Sequence, residues 1–503
     1  MRHRRSAECG VKPVRIAECG LQIRRTETTH GAALPWVVQS AFCNPQSAMQ
    51  VEGLRRARGT VLIVTMWILL VLAGLVLVLA RTMRVEGDRS ANGVAALQAA
   101  AIEQGAIQYV LAGVDGLAGR TPDDADTPCE AVLVGGGAFW ILRPAGTDSP
   151  ATYSYGITDE ASKVNLNTAP LDMLSKLPGM TTELAAAIVD WRDPDSNVTS
   201  GGAESEYYLM LADPYECKNG PLETVEELFL VRDASKEILF GRDANRNGFI
   251  DAGESDSRPF SGTFTSSGAR LDCGLINYVT VYSASAPGST GGTALVNVND
   301  PRSQALVDLL RQAVSADRLP GVLDRVRRER PFRSVLDFYY RAGLTKDEFQ
   351  KIAGRITTGG GGSQAGLINV NTAPKEVLLC LPGLDESDAS ALLAARPTDD
   401  EGRSSIAWVV QVLSREKAVA IGGSITAQSY RFSADIVSIA PGGRAFKRCR
   451  VVVDARTSPP QVIYRQDLTH LGWPLSQDIV ARLRSGLPVE NVIQTTGLEV
   501  APQ

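Results

Sequence analysis

The hydropathy of this chain is most uneven at residues 60–80, TVLIVTMWILLVLAGLVLVLA, an uncharged run that is apolar on every side. As a helix it is about 30 Å long, enough to cross the hydrocarbon core of a bilayer. A buried core helix is the competing reading. It fails because the run has no polar face and follows Arg55, Arg56 and Arg58 directly. On the far side, Arg81 and Arg84 are partly offset by Glu86 and Asp88. That asymmetry predicts a cytoplasmic N-terminus with the bulk of the chain outside. Residues 81–114 are rich in Ala and Gln, with Val94, Leu97, Ile107, Val110 and Leu111 among the apolar positions. They predict a helix leaving the bilayer with one sticky face, weakened locally by Gly93 and Gly105. A plain juxtamembrane helix is the alternative.

Beyond the helix the period changes. Residues 131–134, 139–142 and 153–157 read as short strands divided by glycines and Pro144. A second β-like region follows late, at 429–439, 448–454 and 462–464, with a turn at Pro441-Gly442-Gly443. Between them, residues 160–403 are mainly helical in pattern. The economical topology is a small antiparallel sheet split by an inserted helical domain, with the glycines at 359–362 as a flexible link inside it. The fold class is therefore α+β.

The insert contains a repeat, VNLNTAPLDMLSKLPGM at 164–180 and INVNTAPKEVLLCLPGL at 368–384, with a partial copy, VNVNDP, at 296–301. Thr168 and Thr372 are placed to cap a helix whose first turn holds Pro170 and Pro374. Leu-Pro-Gly ends that helix and a second follows, a helix-hairpin-helix (SAM-like) pattern. Many such hairpins bind DNA through backbone amides and read L-P-G-I-G. Here Thr181 and Asp385 occupy the second glycine position, and Glu183, Glu386 and Asp388 add negative charge. Phosphate contacts need a basic surface, so the pattern favours a packing module over nucleic acid.

Composition narrows the function. The 503 residues are 44% hydrophobic and 21% charged with net charge −5, so bulk charge asks for no anionic partner. Three histidines leave little for a His-based catalytic or zinc site, and no nucleophile elbow, HExxH, phosphate loop or acid pair is present, so no enzyme is expected. Cys9 and Cys19 lie in a repeated AECG without the spacing of a zinc site.

One loop does carry metal chemistry. Asp243, Asn245, Asn247, Gly248, Phe249, Asp251 and Glu254 match D-x-[DN]-x-[DN]-G-x5-E in full. Side-chain oxygens at 243, 245 and 247 would converge, Phe249 would offer its carbonyl, Asp251 would bind directly or through water, and Glu254 would close the site with two oxygens. The expectation is structural Ca2+, of modest affinity because two of the ligands are amides. Cys217 and Cys273 flank this loop, and in an oxidising compartment a bridge between them would staple it.

Basic residues, then Gly59, then a long apolar helix resemble the leader of type IV prepilins and pseudopilins. In that family a prepilin peptidase cuts after the glycine, here between Gly59 and Thr60, and the helix stays on the mature protein. Most pilins carry Glu at the fifth mature position, which here is Val64. That departure, together with ITDEASKVNLNTA, NGPLETVEELFLV and the hairpin repeat, is similar to the minor pseudopilin K family of type II secretion, over roughly residues 55–464. The resemblance implies a pilin-like fold with an inserted α-domain and a place at the tip of a periplasmic pseudopilus. Its implied partners are the I- and J-type minor pseudopilins and the inner-membrane secretion platform, and its implied role is to initiate assembly and support protein export. The expected layout is a cytoplasmic leader at 1–59, a transmembrane helix at 60–80 and its periplasmic continuation at 81–115. The first part of the sheet then occupies 116–159, the helical insert 160–403 with the calcium loop at 243–254, the rest of the sheet 404–465, and a tail 466–503. Met49 would open a compact leader, so residues 1–48 are expected to be a gene-start artefact or a disposable extension. The alternative function is a membrane-tethered helix-hairpin-helix DNA receptor.

Overall fold

The computed structural model describes residues 60–117, 119–144, 154–243, 245–247, 274–284, 295–359 and 366–487. A single helix runs Thr60–Val114. Its first part exposes its apolar side chains, among them Leu62, Trp67, Leu70 and Leu77. From Ala95 onward one stripe is buried, through Ala99, Ile102, Ala106, Ile107, Val110 and Val114. Their spacing of three and four residues is that of one helix face.

That stripe packs on a seven-stranded antiparallel sheet. In it, Gly137–Arg143 lies between Val132–Val134 and Arg431–Ile439, which is followed by Phe446–Asp454 and Gln461–Asp467. The short strands Ser154–Tyr155 and Thr158–Asp159 pair with Gly137–Arg143 and Arg431–Ile439. Ile436 sits opposite Ile141 on one side and Cys449 on the other, so register aligns one apolar row across three strands. Phe139, Ile141, Phe432, Ile436, Cys449 and Val451 face the long helix. The alternate positions Ala138, Trp140, Leu142, Val437 and Ile439 form a second core with Trp473, Leu475 and the helix Gln477–Arg484. Within the span read as a tail, that helix therefore buries Ile479, Val480 and Leu483. At eight residues it is too short for its period to stand out in sequence.

The insertion is built from three versions of one module. Each opens on a two-residue strand ending in Asn and closes on one ending in Thr, and the two pair in parallel. The pairs are Val164–Asn165 with Val279–Thr280, Val296–Asn297 with Ile356–Thr357, and Ile368–Asn369 with Ile425–Thr426. The partial sequence copy at 296–301 thus heads a complete module, with helices Gln304–Ala313, Leu319–Glu329, Val335–Ala342 and Lys346–Ala353. The opening Asn accepts the amide two residues on, at 2.8 Å for Asn165, 2.9 Å for Asn297 and 3.0 Å for Asn369. The next Asn clamps a distant backbone. Asn167 Nδ2 donates to the Leu222 carbonyl (2.9 Å) and its Oδ1 accepts from the Leu222 amide (2.8 Å). Asn299 holds Phe332 the same way at 3.0 and 2.8 Å, and Asn371 donates to the Arg403 carbonyl at 2.8 Å. An arginine then pins each turn. Arg192 donates to the Leu166 and Ala169 carbonyls, Arg330 to Val298 and Arg396 to Val370 and Ala373.

Two local expectations change. The helices begin at Leu171 and Lys375 with Pro170 and Pro374 as the caps, and neither threonine caps. The Asn165 and Asn369 carbonyls accept the amides of Thr168, Ala169, Thr372 and Ala373, closing the turn before the helix starts. The Thr372 hydroxyl donates instead to Asp159 Oδ2 at 2.6 Å. The helical part also continues past residue 403, through Val409–Val412 and Arg415–Ile421, and the long strand resumes at Arg431. The third module needs those helices to complete its core, in which Val409, Ala418 and Ile421 are buried.

Candidate functional site

Chemistry-bearing residues concentrate where the insertion seats on the sheet. At the entry, Asp159 is buried and accepts from the Ala161 amide (2.7 Å), Asn369 Nδ2 (2.9 Å) and the Thr372 hydroxyl (2.6 Å). Burial pushes its carboxyl up, against those donors. Glu160 beside it pairs with Lys163 at 2.9 Å and accepts from the hydroxyls of Thr280 and Ser433. Burial opposes its charge too, but Lys163 and the two hydroxyls outweigh burial and hold the carboxyl below the usual carboxylate range. The first module's closing strand, through Thr280, and the long sheet strand, through Ser433, thus share one buried carboxylate.

The described part of the 243–254 loop, Asp243 and residues 245–247, also meets the sheet. Asp243 and Asn247 are buried. The Asn247 amide donates to Asp243 Oδ1 (3.0 Å) and Asn245 Oδ1 (2.9 Å), bringing two of the expected ligand side chains together. Asn247 Nδ2 donates to the Pro474 carbonyl at 2.7 Å. Arg448, fully buried in the strand Phe446–Asp454, donates to the carbonyls of Asn245 and Arg246 and forms a two-pronged pair with Asp435, 2.8 and 2.7 Å. Burial raises the cost of the Asp435 charge, yet Arg448 and Arg450 hold its carboxyl below the ordinary range. Phe249, Asp251 and Glu254 lie outside the described residues, as do Gly59 and Cys273. Thr60 is the first residue of the long helix, and Val64 in the same helix is exposed. Cys217 is buried, its thiol against the Asp190 carbonyl.

Both hairpins keep their left-handed glycine, Gly179 at φ +67° and Gly383 at φ +75°. Thr181 accepts the Leu184 amide, whereas Asp385 forms a reciprocal box with Asp388. Lys417 hydrogen-bonds both aspartates and draws the Asp385 carboxyl well down. The hairpins also touch each other: Lys176 Nζ donates to the Leu381 carbonyl at 3.1 Å. Amides that would face phosphate are thus capped by Thr181 in one hairpin and by acids in the other, and one hairpin spends its lysine on its neighbour.

Residues 159–240, the first module from Asp159 onward, and residues 368–414, the opening of the third, each match the type II secretion system (T2SS), protein K. These two stretches, about a quarter of the chain, are similar to that family. That family is a structural, non-enzymatic component of secretion, and among the described residues one N-terminal helix is long and apolar enough to cross a membrane, which fits a single-pass inner-membrane protein. Among solved structures, one that the chain resembles is the GspK-GspI-GspJ complex from the enterotoxigenic Escherichia coli type 2 secretion system. Identity is 14% and the TM-score 0.37, over 77% of this chain and 99% of that one. No curated protein matches the sequence.

The sequence shows the repeat and its partial copy but not the roles of Arg448, Asp435 and Glu160. The available signal was a cross-strand one: Asp435 lies directly opposite Arg450 in the ladder, a charged pair inside two strands otherwise dominated by apolar residues.

Proposed function

We propose that this chain is a type II secretion protein K, the minor pseudopilin at the tip of a type II secretion pseudopilus, where it initiates assembly and supports protein export. The observation that carries this reading is the long helix, exposed and apolar in its first part and buried along one stripe against the sheet from Ala95 onward. A prepilin peptidase cuts between Gly59 and Thr60, the helix stays in the inner membrane with the N-terminus cytoplasmic, and the bulk is periplasmic. The I- and J-type minor pseudopilins bind the head, and the secretion platform receives the helix. The mechanism is mechanical: membrane helices associate, and a head enlarged by three modules leaves nothing to stack above it.

Calcium is part of this reading. Asp243, Asn245 and Asn247 would supply three oxygens, with Phe249, Asp251 and Glu254 completing the shell. The convergence of Asp243 and Asn245 on one amide fits such a loop. The ion would rigidify a segment already held by Arg448. A bridge from Cys217 to Cys273 would brace the same segment. The DNA-receptor alternative gains nothing from the hairpins, whose termini carry Glu183, Asp385, Glu386 and Asp388.

The test is co-purification of the detergent-extracted chain with co-expressed I- and J-type minor pseudopilins. A stable complex is expected, and no complex with either partner overturns the proposal. The same sample should leave DNA mobility unchanged at low salt.

A further inference from the structure

The seam between the first module and the sheet holds a small polar cavity of about 30 Å³. One wall is a face of the sheet. In the ladder Gln466 lies opposite Arg450 and Tyr464 opposite Val452, and because side chains alternate along a strand, these four share one side. The facing wall comes from the first module, through Val279 in its closing strand and Tyr282 just beyond it. The Tyr282 and Tyr464 rings lean on each other across the seam, with centroids 5.3 Å apart.

Each wall carries a buried polar atom with no protein partner. These are the Tyr282 hydroxyl and Gln466 Oε1. An orphaned buried group loses its hydration and gets nothing in return, so both call for a complement. Their needs are matched: a phenol can donate, and an amide oxygen can only accept. Burial, then Tyr464, Glu226 and Glu160, push the Tyr282 phenol up, so it keeps its proton at neutral pH. The charged neighbours are already answered. Arg450 donates to Asp435 at 3.3 Å, Lys163 pairs with Glu160 at 2.9 Å, and the Ser433 hydroxyl donates to Glu160 at 2.5 Å.

We propose that this cavity binds one ordered water, which accepts from the Tyr282 hydroxyl and donates to Gln466 Oε1. The space fits that ligand. One water needs roughly 10–15 Å³ and at least two polar partners, whereas an organic ligand needs about 300 Å³ or more. The balanced pairs around the cavity leave no net charge to attract an ion. A bridging water holds two groups nearly as well as a direct hydrogen bond. Here it ties the exit of the first module to Gln461–Asp467, a strand that pairs with the sheet on one side alone. Arg431 Nη1 already donates to the Tyr282 carbonyl at 2.9 Å, so the backbone and the side chain of Tyr282 both clasp the sheet.

The test uses the full chain in detergent. A crystal structure fine enough to resolve ordered solvent should show one peak within hydrogen-bond distance of both the Tyr282 hydroxyl and Gln466 Oε1. That peak should vanish in Gln466→Leu. Tyr282→Phe keeps the ring contact with Tyr464 and removes only the donor, so both variants should fold. Each should lower the urea midpoint, and the double variant should lower it by clearly less than the sum, because either change breaks the same link. No solvent peak overturns the proposal, as does a Tyr282 hydroxyl bonded directly to Tyr464 or Gln466. Single variants with unchanged midpoints, or losses that simply add in the double variant, overturn it as well.

Discussion

Replacing Arg448 with Met is the sharpest probe of how the insertion is held to the sheet. Arg448 is fully buried and Asp435 nearly so, with 7% of its side chain exposed. The substitution keeps most of the packing volume but strands the Asp435 carboxylate with Arg450 alone, 3.3 Å away. It also leaves the Asn245 and Arg246 carbonyls without this donor. Removing one partner of a buried pair costs about 3–5 kcal/mol. Arg450 offsets part of this, so the lower end, about 3 kcal/mol, is expected. The double variant Arg448→Met, Asp435→Leu removes both charges and should recover most of the loss. The assay is urea unfolding of the detergent-solubilised chain, followed by near-ultraviolet circular dichroism, with limited proteolysis around residue 246 as a local reporter. A loss under about 1 kcal/mol, or a double variant no more stable than the single one, would refute the reasoning.

Acid should act through the same carboxylates. Asp435 and Glu160 titrate below their ordinary values, so their stabilisation is complete above the unfolded carboxylate range near pH 4 and is lost as pH falls through their lower folded values. Asp159, pushed up by burial, works with the opposite sign and gains stability on acidification between its two values. Urea midpoints from pH 6 to pH 2 check this: Arg448→Met should flatten the fall, and an unchanged slope contradicts the assignment. Asn167→Ala should cost about 1–3 kcal/mol by leaving the Leu222 amide and carbonyl unpaired, and Asn299→Ala should cost as much at Phe332, both read by thermal melting. Gly202→Ala should destabilise by more than about 1 kcal/mol through its clash with Asp190, whereas a neutral result there would mean the loop relaxes freely. Peptide mapping with and without reductant should release a Cys217–Cys273 peptide pair only without reductant.

The long apolar helix, the strands and the repeat were legible because each rests on a local period or a copied motif. The strand expected at 429–439 and the helix expected through Val114 appear at Arg431–Ile439 and Thr60–Val114. What escaped were relations between distant residues. The middle module kept only VNVND of its signature, and its identity shows in the Asn299 clamp and the parallel pairing of Val296–Asn297 with Ile356–Thr357. The third module's last helices, four and seven residues long, are too short to show a period. Arg448 looks like an ordinary strand charge until the fold sets Asp435 and the loop carbonyls around it.

The central claim is that the apolar helix remains on the mature chain after the leader is removed. Mass spectrometry of the N-terminal peptide, from protein extracted from membranes of cells with active prepilin peptidase, tests it directly. The account predicts a chain in the membrane fraction that begins at Thr60. A free chain beginning beyond Ala80, or a membrane chain that keeps Arg55–Gly59, would contradict it.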